Sequence, residues 1–169
     1  MLGSLFRRLT AENAAGPALF DAITARTRQP HWYVEGGLPD TLDGRFAVLS
    51  TITALVLLRL EQFDEAGNSA SVALTERFIE VMEAEHRELG LGDPTLGKTV
   101  RKLVGSLARR TALWRETVGQ ADWCEATRSS LYRDNPSAEA IRHSENALRT
   151  LWAGLRGADL KALEEGKLQ

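Results

Sequence analysis

The sequence predicts an all-α fold, a single compact bundle-like domain of about six to eight helices. Three observations favour this class. Apolar residues recur at helical spacing along most of the chain, and no segment alternates apolar and polar residues as a half-buried strand would. Ala, Leu, Glu and Arg, which are good helix formers, dominate the composition. The chain has 169 residues, 43% hydrophobic and 26% charged, which suits one globular domain with a substantial core.

Prolines, glycines and capping residues divide the chain into helices. Pro17 suits the first turn of a helix that runs to about Arg28, and Pro30 closes that segment. Residues 31–39 contain two glycines and a proline, so they are expected to form a structured loop.

The next helix is expected to lie at the centre of the fold. Asp40 is a good N-cap, and Asp43 can face the free N–H groups of the first turn. The helix runs to about Glu65, and Gly67 marks its end. Apolar residues cover most of its circumference, which is typical of a buried helix. They include Phe46, Val48, Leu49, Ile52, Leu55, Val56, Leu58, Leu60 and Phe63.

Four further helices complete the domain. Asn68 or Ser69 caps the first of them, and Asp93 with Pro94 begins the second. Their expected ranges are 68–89, 94–118, 120–133 and 137–154. The helical domain therefore covers residues 15–156, and the polar tail at 157–169 is expected to fray.

Residues 1–14 form an amphipathic N-terminal segment. Four apolar residues at helical spacing accompany Arg7 and Arg8, without a signal-peptide apolar region or cleavage site. We expect a terminal helix docked on the protein's own core, with a mitochondrial presequence or a membrane-surface helix as the alternative. The longest apolar run, residues 48–58, is too short for a membrane span, which needs about 20 residues.

The helix at 94–118 carries most of the positive charge. It holds six basic residues and one acidic residue, a local charge of +5 in a chain of net charge −2. The basic residues are Lys98, Arg101, Lys102, Arg109, Arg110 and Arg115. Most lie opposite the apolar stripe or on its flank. They form either a solvated face or a docking surface for an acidic partner, RNA or anionic lipid. Arg110 lies on the apolar side and would need a partner there.

The sequence has no catalytic or cofactor-binding motif, so we predict a non-enzymatic protein without a cofactor. It lacks a phosphate-binding loop and a nucleophile elbow, and Cys124 with three histidines gives no zinc spacing. Glu83 and His86 form half of the paired motif of helical di-iron proteins. The other half is missing because Glu139 and His143 are spaced one residue too far apart. No metal site is therefore expected, and a helical carboxylate-metal enzyme is the less favoured alternative.

Five segments of the chain follow one another in a distinctive order and at distinctive spacing. They are Arg28-Gln-Pro-His-Trp-Tyr33, Gly37-Leu-Pro-Asp-Thr-Leu-Asp-Gly-Arg-Phe46, Arg87-Glu-Leu-Gly-Leu-Gly-Asp93, Leu96-Gly-Lys-Thr-Val-Arg-Lys102 and, as a weaker echo, Ser130-Leu-Tyr-Arg-Asp-Asn135. Together they resemble the signature of the ubiquinol–cytochrome c chaperone family. Residues 39–46 are its most specific part. Two departures stand out: Trp32 occupies a position where the family usually has Phe, and Leu107-Ala-Arg-Arg110 keeps the arginine but lacks the family's aromatic pair.

The resemblance implies an assembly chaperone for the cytochrome bc1 complex, with newly made cytochrome b as its client. Such a protein binds reversibly, without turnover and without a haem ligand of its own. Family members act near the ribosomal exit tunnel in mitochondria. A bacterial relative, which we favour, would act in the cytoplasm at the periphery of the inner membrane; the mitochondrial matrix is the alternative. A monomer is favoured. A helical scaffold or a ribosome- or RNA-associated binding module is the alternative function.

The candidate partner-binding residues fall into two groups. Those at the loop-to-helix junction are Trp32, Tyr33, Asp40, Asp43, Gly44 and Arg45, and those on the basic helix are Lys98, Arg101, Lys102, Arg109 and Arg110. A glycine inside a helix costs about 1 kcal/mol relative to alanine, so Gly44 indicates a close approach by another backbone or by a partner. Arg45 can pair with Asp93 or with the carboxylates of its own first turn. A structural role for the junction and direct contact with a client are both compatible with the sequence.

Overall fold

The computed structural model describes residues 15–90 and 92–168, and within them it contains seven α-helices, one 3-10 turn and no strand. The helices are α1 (Ala15–Thr27), α2 (Leu42–Glu61), α3 (Asp64–Glu88), α4 (Asp93–Thr117), α5 (Cys124–Leu131), α6 (Ala138–Gly157) and α7 (Leu160–Glu164), and the 3-10 turn is Pro30–Trp32. The predicted all-α, bundle-like fold is confirmed. The amphipathic segment at 1–14 lies outside the described residues. Among the described helices, none is both long and apolar enough to cross a bilayer.

Helix α2 is the centre of the fold, as its apolar circumference predicts. It contacts α1, α3, α4, α5 and α6. Its side chains Val48, Ile52 and Leu55 have no exposed surface. Burial of Thr51 and Thr53 is tolerated because each hydroxyl donates to a carbonyl one turn earlier, at 2.7 and 2.8 Å. A helix that is buried on all sides positions the elements packed around it.

The two ends of α2 differ from the predicted ones. Thr41, not Asp40, is the N-cap, and its hydroxyl accepts from the Gly44 N–H at 3.3 Å. At the other end α2 stops at Glu61, and a tight corner with Asp64 at φ 50° starts α3.

Gly67 lies inside α3 and does not end a helix. A Cβ there would lie 2.0 Å from the Leu60 carbonyl oxygen, so the glycine permits the close contact between α3 and the end of α2. The predicted caps Asn68 and Ser69 are therefore wrong, because both residues are already in the helix.

The later helices agree with the predicted ones in order but not in every boundary. Gly92 rather than Asp93 is the N-cap of α4, with a proline in its first turn as predicted. Helix α5 is shorter than the predicted 120–133. Ser137 caps α6, as the predicted boundary requires, by accepting from the Ala140 N–H at 3.1 Å.

The polar tail is folded rather than frayed. Helix α7 packs on α1 and α3, and Leu163 and Leu168 are buried. The Arg26 guanidinium donates to the Leu168 carbonyl. A frayed tail was predicted because the few leucines in this segment are separated by charged residues. In the structure these leucines pack against the apolar side of α1.

Candidate functional site

The most specific sequence segment lines one cleft of about 580 Å³. The cleft lies between the start of α2, the middle of α4 and the connection from α5 to α6. Its lining includes Pro39, Gly44, Phe46, Arg110 and the residues 129–136. The structure therefore brings the junction motif together with the weak downstream echo and with one of the predicted basic residues.

The junction is shaped by a close backbone approach. A Cβ on Gly44 would lie 2.0 Å from the Pro39 carbonyl oxygen, so only glycine lets the loop fold onto the first turn of α2. The approach predicted at this glycine is made by the protein's own backbone. Arg45 lies beside it and donates through Nε to Asp40 at 2.6 Å. This hydrogen bond lowers the pKa of Asp40 and raises that of Arg45.

Asp43 connects the junction to the opposite wall. Arg133 donates to its carboxylate at 2.8 Å, and the two exposed side chains tie the first turn of α2 to the connection before α6. Arg133 is not among the site residues predicted from the sequence. The signal that could have found it is its place inside the downstream echo, three residues after Ser130.

Tyr132 stabilises the floor of the cleft through the contacts of its hydroxyl group. Its hydroxyl lies 2.7 Å from the Gly36 carbonyl, 3.0 Å from the Ala140 carbonyl and 2.7 Å from the Ser144 hydroxyl. Burial raises the pKa of this tyrosine, and the hydrogen bond with Ser144 opposes that effect. The loop before α2 is thereby held against α6.

Trp32 and Tyr33 hold the loop from its other side. Trp32 is only 3% exposed, and its indole N–H donates to the Arg26 carbonyl at 2.9 Å. The Tyr33 hydroxyl donates to the Thr27 carbonyl at 2.7 Å. These carbonyls belong to the end of α1, where helical partners are lacking. Trp32 was expected as a partner-binding residue, but it is a core residue that positions the loop.

Arg110 enters the cleft from α4, on the apolar side that its sequence position predicts. One terminal nitrogen donates to Ser106, and the other donates to the Ser130 carbonyl at 2.8 Å. The guanidinium carbon lies 6.0 Å from the centroid of the Phe46 ring. Burial first, and then the charges of the neighbouring cations Arg109 and Arg133, lower the pKa of Arg110 to about 10.

The remaining basic candidates form an exposed row on α4, called here the basic face. It consists of Lys98, Arg101, Lys102 and Arg109, and within the described residues none of them has an ion pair. Arg115 differs because it pairs with Glu61 at 2.8 Å. The basic face and the cleft lie on different sides of the same helix.

The structure assembles no metal cluster around the half-motif. In the described part of the chain, no group of three or more His, Cys, Asp or Glu could hold a metal ion. His86 Nδ1 lies 2.8 Å from the Met82 carbonyl one turn earlier. That contact suits an ordinary helical histidine.

The comparisons with known proteins point to one family. The family model described as ubiquinol-cytochrome C chaperone matches residues 34–168. The crystal structure of the Cbp3 homolog from Brucella abortus matches with a TM-score of 0.82 and 25% sequence identity, covering 100% of this chain and 96% of that one. No curated protein matches the chain.

Proposed function

Because the chain belongs to the ubiquinol–cytochrome c chaperone family, we propose that it binds newly made cytochrome b and supports its incorporation into the cytochrome bc1 complex. The family match over residues 34–168 is the observation that carries this proposal. The chain acts by binding and not by turnover, in line with a family of chaperones.

The cleft is the proposed binding surface for the client. It combines an aromatic wall at Phe46 with polar edges. Leu42 is 53% exposed and stands in sequence between two residues that line the cleft, Thr41 and Asp43. An apolar client segment would bury such side chains, at a gain of about 25 cal/mol for each Å² of apolar surface removed from water. Release needs no chemical step, because the contacts are noncovalent.

The proposed location follows from the client. A bacterial protein would act in the cytoplasm at the periphery of the inner membrane, and a mitochondrial one in the matrix. The basic face supports a second contact in either place, because Lys and Arg rows attract anionic lipid or RNA. The chain is proposed to work as a monomer.

A deletion experiment in the native host tests the function. We expect the deletion strain to lose most of its cytochrome b and bc1 complex, measured by haem spectra and immunoblots. Wild-type protein should capture cytochrome b from detergent-treated membranes. Unchanged bc1 content in the deletion strain would contradict the proposed function.

Two matched variants locate the client surface. Leu42→Asp adds an acid to the first turn of a helix, where it is tolerated, and Val72→Asp makes the same change on the exposed side of α3. Capture of cytochrome b should fall about tenfold in the first variant, the equivalent of 1.4 kcal/mol, and stay unchanged in the second. Equal capture by both variants would remove the cleft from the proposal.

The basic face favours a second candidate, a ribosome- or RNA-associated module. The triple change Lys98→Gln, Lys102→Gln and Arg109→Gln removes three exposed charges. The control changes Arg142, Arg156 and Lys161 to glutamine, which removes the same charge from another surface. If only the first triple variant loses ribosome association while both still capture cytochrome b, the basic face serves the ribosome and not the client.

A further inference from the structure

Arg110 is a partly buried cation that lacks a counter-ion among the described residues. Within the described residues, no carboxylate forms an ion pair with it. The charged neighbours that act on it most, Arg109 and Arg133, are themselves positive. A buried charge without an opposite charge is costly, so proteins normally pair it or expose it.

The guanidinium also has more donors than partners. An arginine carries five N–H donors in a planar fork. Ser106 and Ser130 accept from the terminal nitrogens, while Nε is buried and has no hydrogen-bond partner among the described residues. The Phe46 ring at 6.0 Å offers only a weak attraction to the cation.

The acids that line the same cleft do not supply the missing charge. Asp43 is engaged with Arg133 at 2.8 Å, and Asp134 is exposed. Neither acid is among the groups that shift the titration of Arg110. The cleft is thus open to solvent on one side and has an uncompensated cation in its wall.

We propose that Arg110 binds a carboxylate of the client, an Asp or Glu side chain that enters the cleft together with apolar neighbours. This inference rests on the proposed function and names the chemistry that the client segment must carry. Carboxylates match the planar arginine fork, and such charge-assisted bonds are about twice as strong as neutral ones. A carboxylate is chosen over a phosphate because the proposed occupant is a protein segment, whose anionic side chains are Asp and Glu.

The first test probes the site without the client. The probes are acetate and inorganic phosphate, titrated against a chloride control at equal ionic strength. The readout is the ¹⁵N resonance of the Arg110 Nε–H, which its burial protects from exchange and which Arg110→Lys identifies by its loss. We expect a saturable shift with acetate and at least a threefold weaker effect of phosphate.

An internal control is present in the same spectrum. The Arg59 Nε–H is bound to the Leu155 carbonyl at 2.8 Å and should stay unmoved. No acetate shift at Arg110, or an equal shift at Arg59, would overturn the proposal. A stronger response to phosphate than to acetate would overturn the choice of a carboxylate.

The second test uses the client. Capture of cytochrome b from membranes should fall at least tenfold in Arg110→Met and remain partly intact in Arg110→Lys, with thermal unfolding confirming that both variants fold. Normal capture by Arg110→Met would overturn the carboxylate site and leave the proposed function standing. An acetate response in a protein that captures no cytochrome b would support the site and remove the proposed function.

Discussion

The two ends of α2 each lie beside a partly buried arginine, and the two arginines are held differently. Arg59, at the end of α2, donates to the Leu155 carbonyl at 2.8 Å and the Ala158 carbonyl at 2.9 Å. It also bonds Gln62 and stacks on the Phe63 ring at 4.1 Å. The carbonyls belong to the end of α6, where the helix dipole is negative.

Arg110 belongs to α4 and lies beside the start of α2. Its terminal nitrogens donate to Ser106 and to the Ser130 carbonyl, but its Nε has no acceptor among the described residues. The contrast separates two uses of the same side chain. An arginine whose three nitrogens all have acceptors stabilises the fold, whereas one whose Nε lacks an acceptor and whose charge is uncompensated in a cleft is available to a ligand. The following predictions test that division, from the largest expected effect to the smallest.

The largest effect should come from the glycines that allow the close approaches at the two ends. Gly67→Ala and Gly44→Ala each place a Cβ 2.0 Å from a carbonyl oxygen, so the backbone must move. We expect each change to lower the free energy of unfolding by about 3 kcal/mol, measured by urea denaturation. Gly157→Ala is the control, because nothing lies within 4 Å of its Cβ position. A loss below about 1 kcal/mol at either end would show that the close approach there is adaptable.

The sharpest test exchanges the two arginines for methionine. Arg59→Met removes the guanidinium bonds to the Leu155 and Ala158 carbonyls and should destabilise the protein by about 2 kcal/mol. Arg110→Met removes the bonds to Ser106 and Ser130 but also relieves an unpaired, partly buried charge, so the net change should stay below about 1 kcal/mol. Chemical denaturation of both variants decides the point. Equal losses of unfolding free energy in the two variants would contradict the distinction between a structural arginine and one available to a ligand.

The floor of the cleft should depend on one hydroxyl. Tyr132→Phe removes the group shared by Gly36, Ala140 and Ser144. We expect a loss of about 1–2 kcal/mol in unfolding free energy, together with faster hydrogen exchange in the loop before α2. Tyr33→Phe is the matched control, since it removes a single bond to Thr27 and should cost less. Similar losses in both variants would contradict a special role for Tyr132.

The cleft end should also be the more sensitive one to acid. His31 lies 3.1 Å from His143, and burial first, then the charge of His143, lowers its pKa. Glu35 opposes this effect and Arg26 adds to it. The unfolded chain therefore takes up the proton first, and stability is lost as pH falls below about 6.5.

Calorimetry at pH 7.5, 6.5 and 5.5 measures this effect. The melting temperature of wild-type protein should fall across the series, and His31→Asn should fall less. His86→Gln serves as the comparison, because the His86 ring is hydrogen-bonded to the Met82 carbonyl of its own helix. An unchanged slope in His31→Asn would assign the acid sensitivity to other groups.

The sequence predicted α2 well, because a helix that is apolar on all sides has only one stable place, the centre of the bundle. The prediction misplaced the turn after α2. A glycine that ends a helix and a glycine that allows close approach of a neighbouring carbonyl cannot be distinguished from the sequence. Gly67 is of the second kind. The packing of the tail was not predicted for a related reason. Leu163 and Leu168 are buried because α1 lies against them, and that contact cannot be read from the local sequence.

The cleft was predictable only in part. Periodicity placed Arg110 on the apolar side, and the junction motif marked the start of α2. The contacts that assemble the cleft join positions far apart in sequence: Arg133 reaches Asp43 across 90 residues, and Tyr132 reaches Gly36 across 96. No local pattern predicts such pairs. The basic face was visible from charge alone because it belongs to a single helix.

The docking of α7 on α1 has a consequence for synthesis. Arg26 and the Leu168 carbonyl that it contacts are separated by 142 residues. At about 5–20 residues per second, a ribosome needs roughly 7–28 s to make the intervening chain. Until then the side of α1 that Leu163 and Leu168 cover must stay exposed or be covered by something else. A protein proposed to bind a newly made membrane subunit thus passes through an incompletely folded stage during its own synthesis.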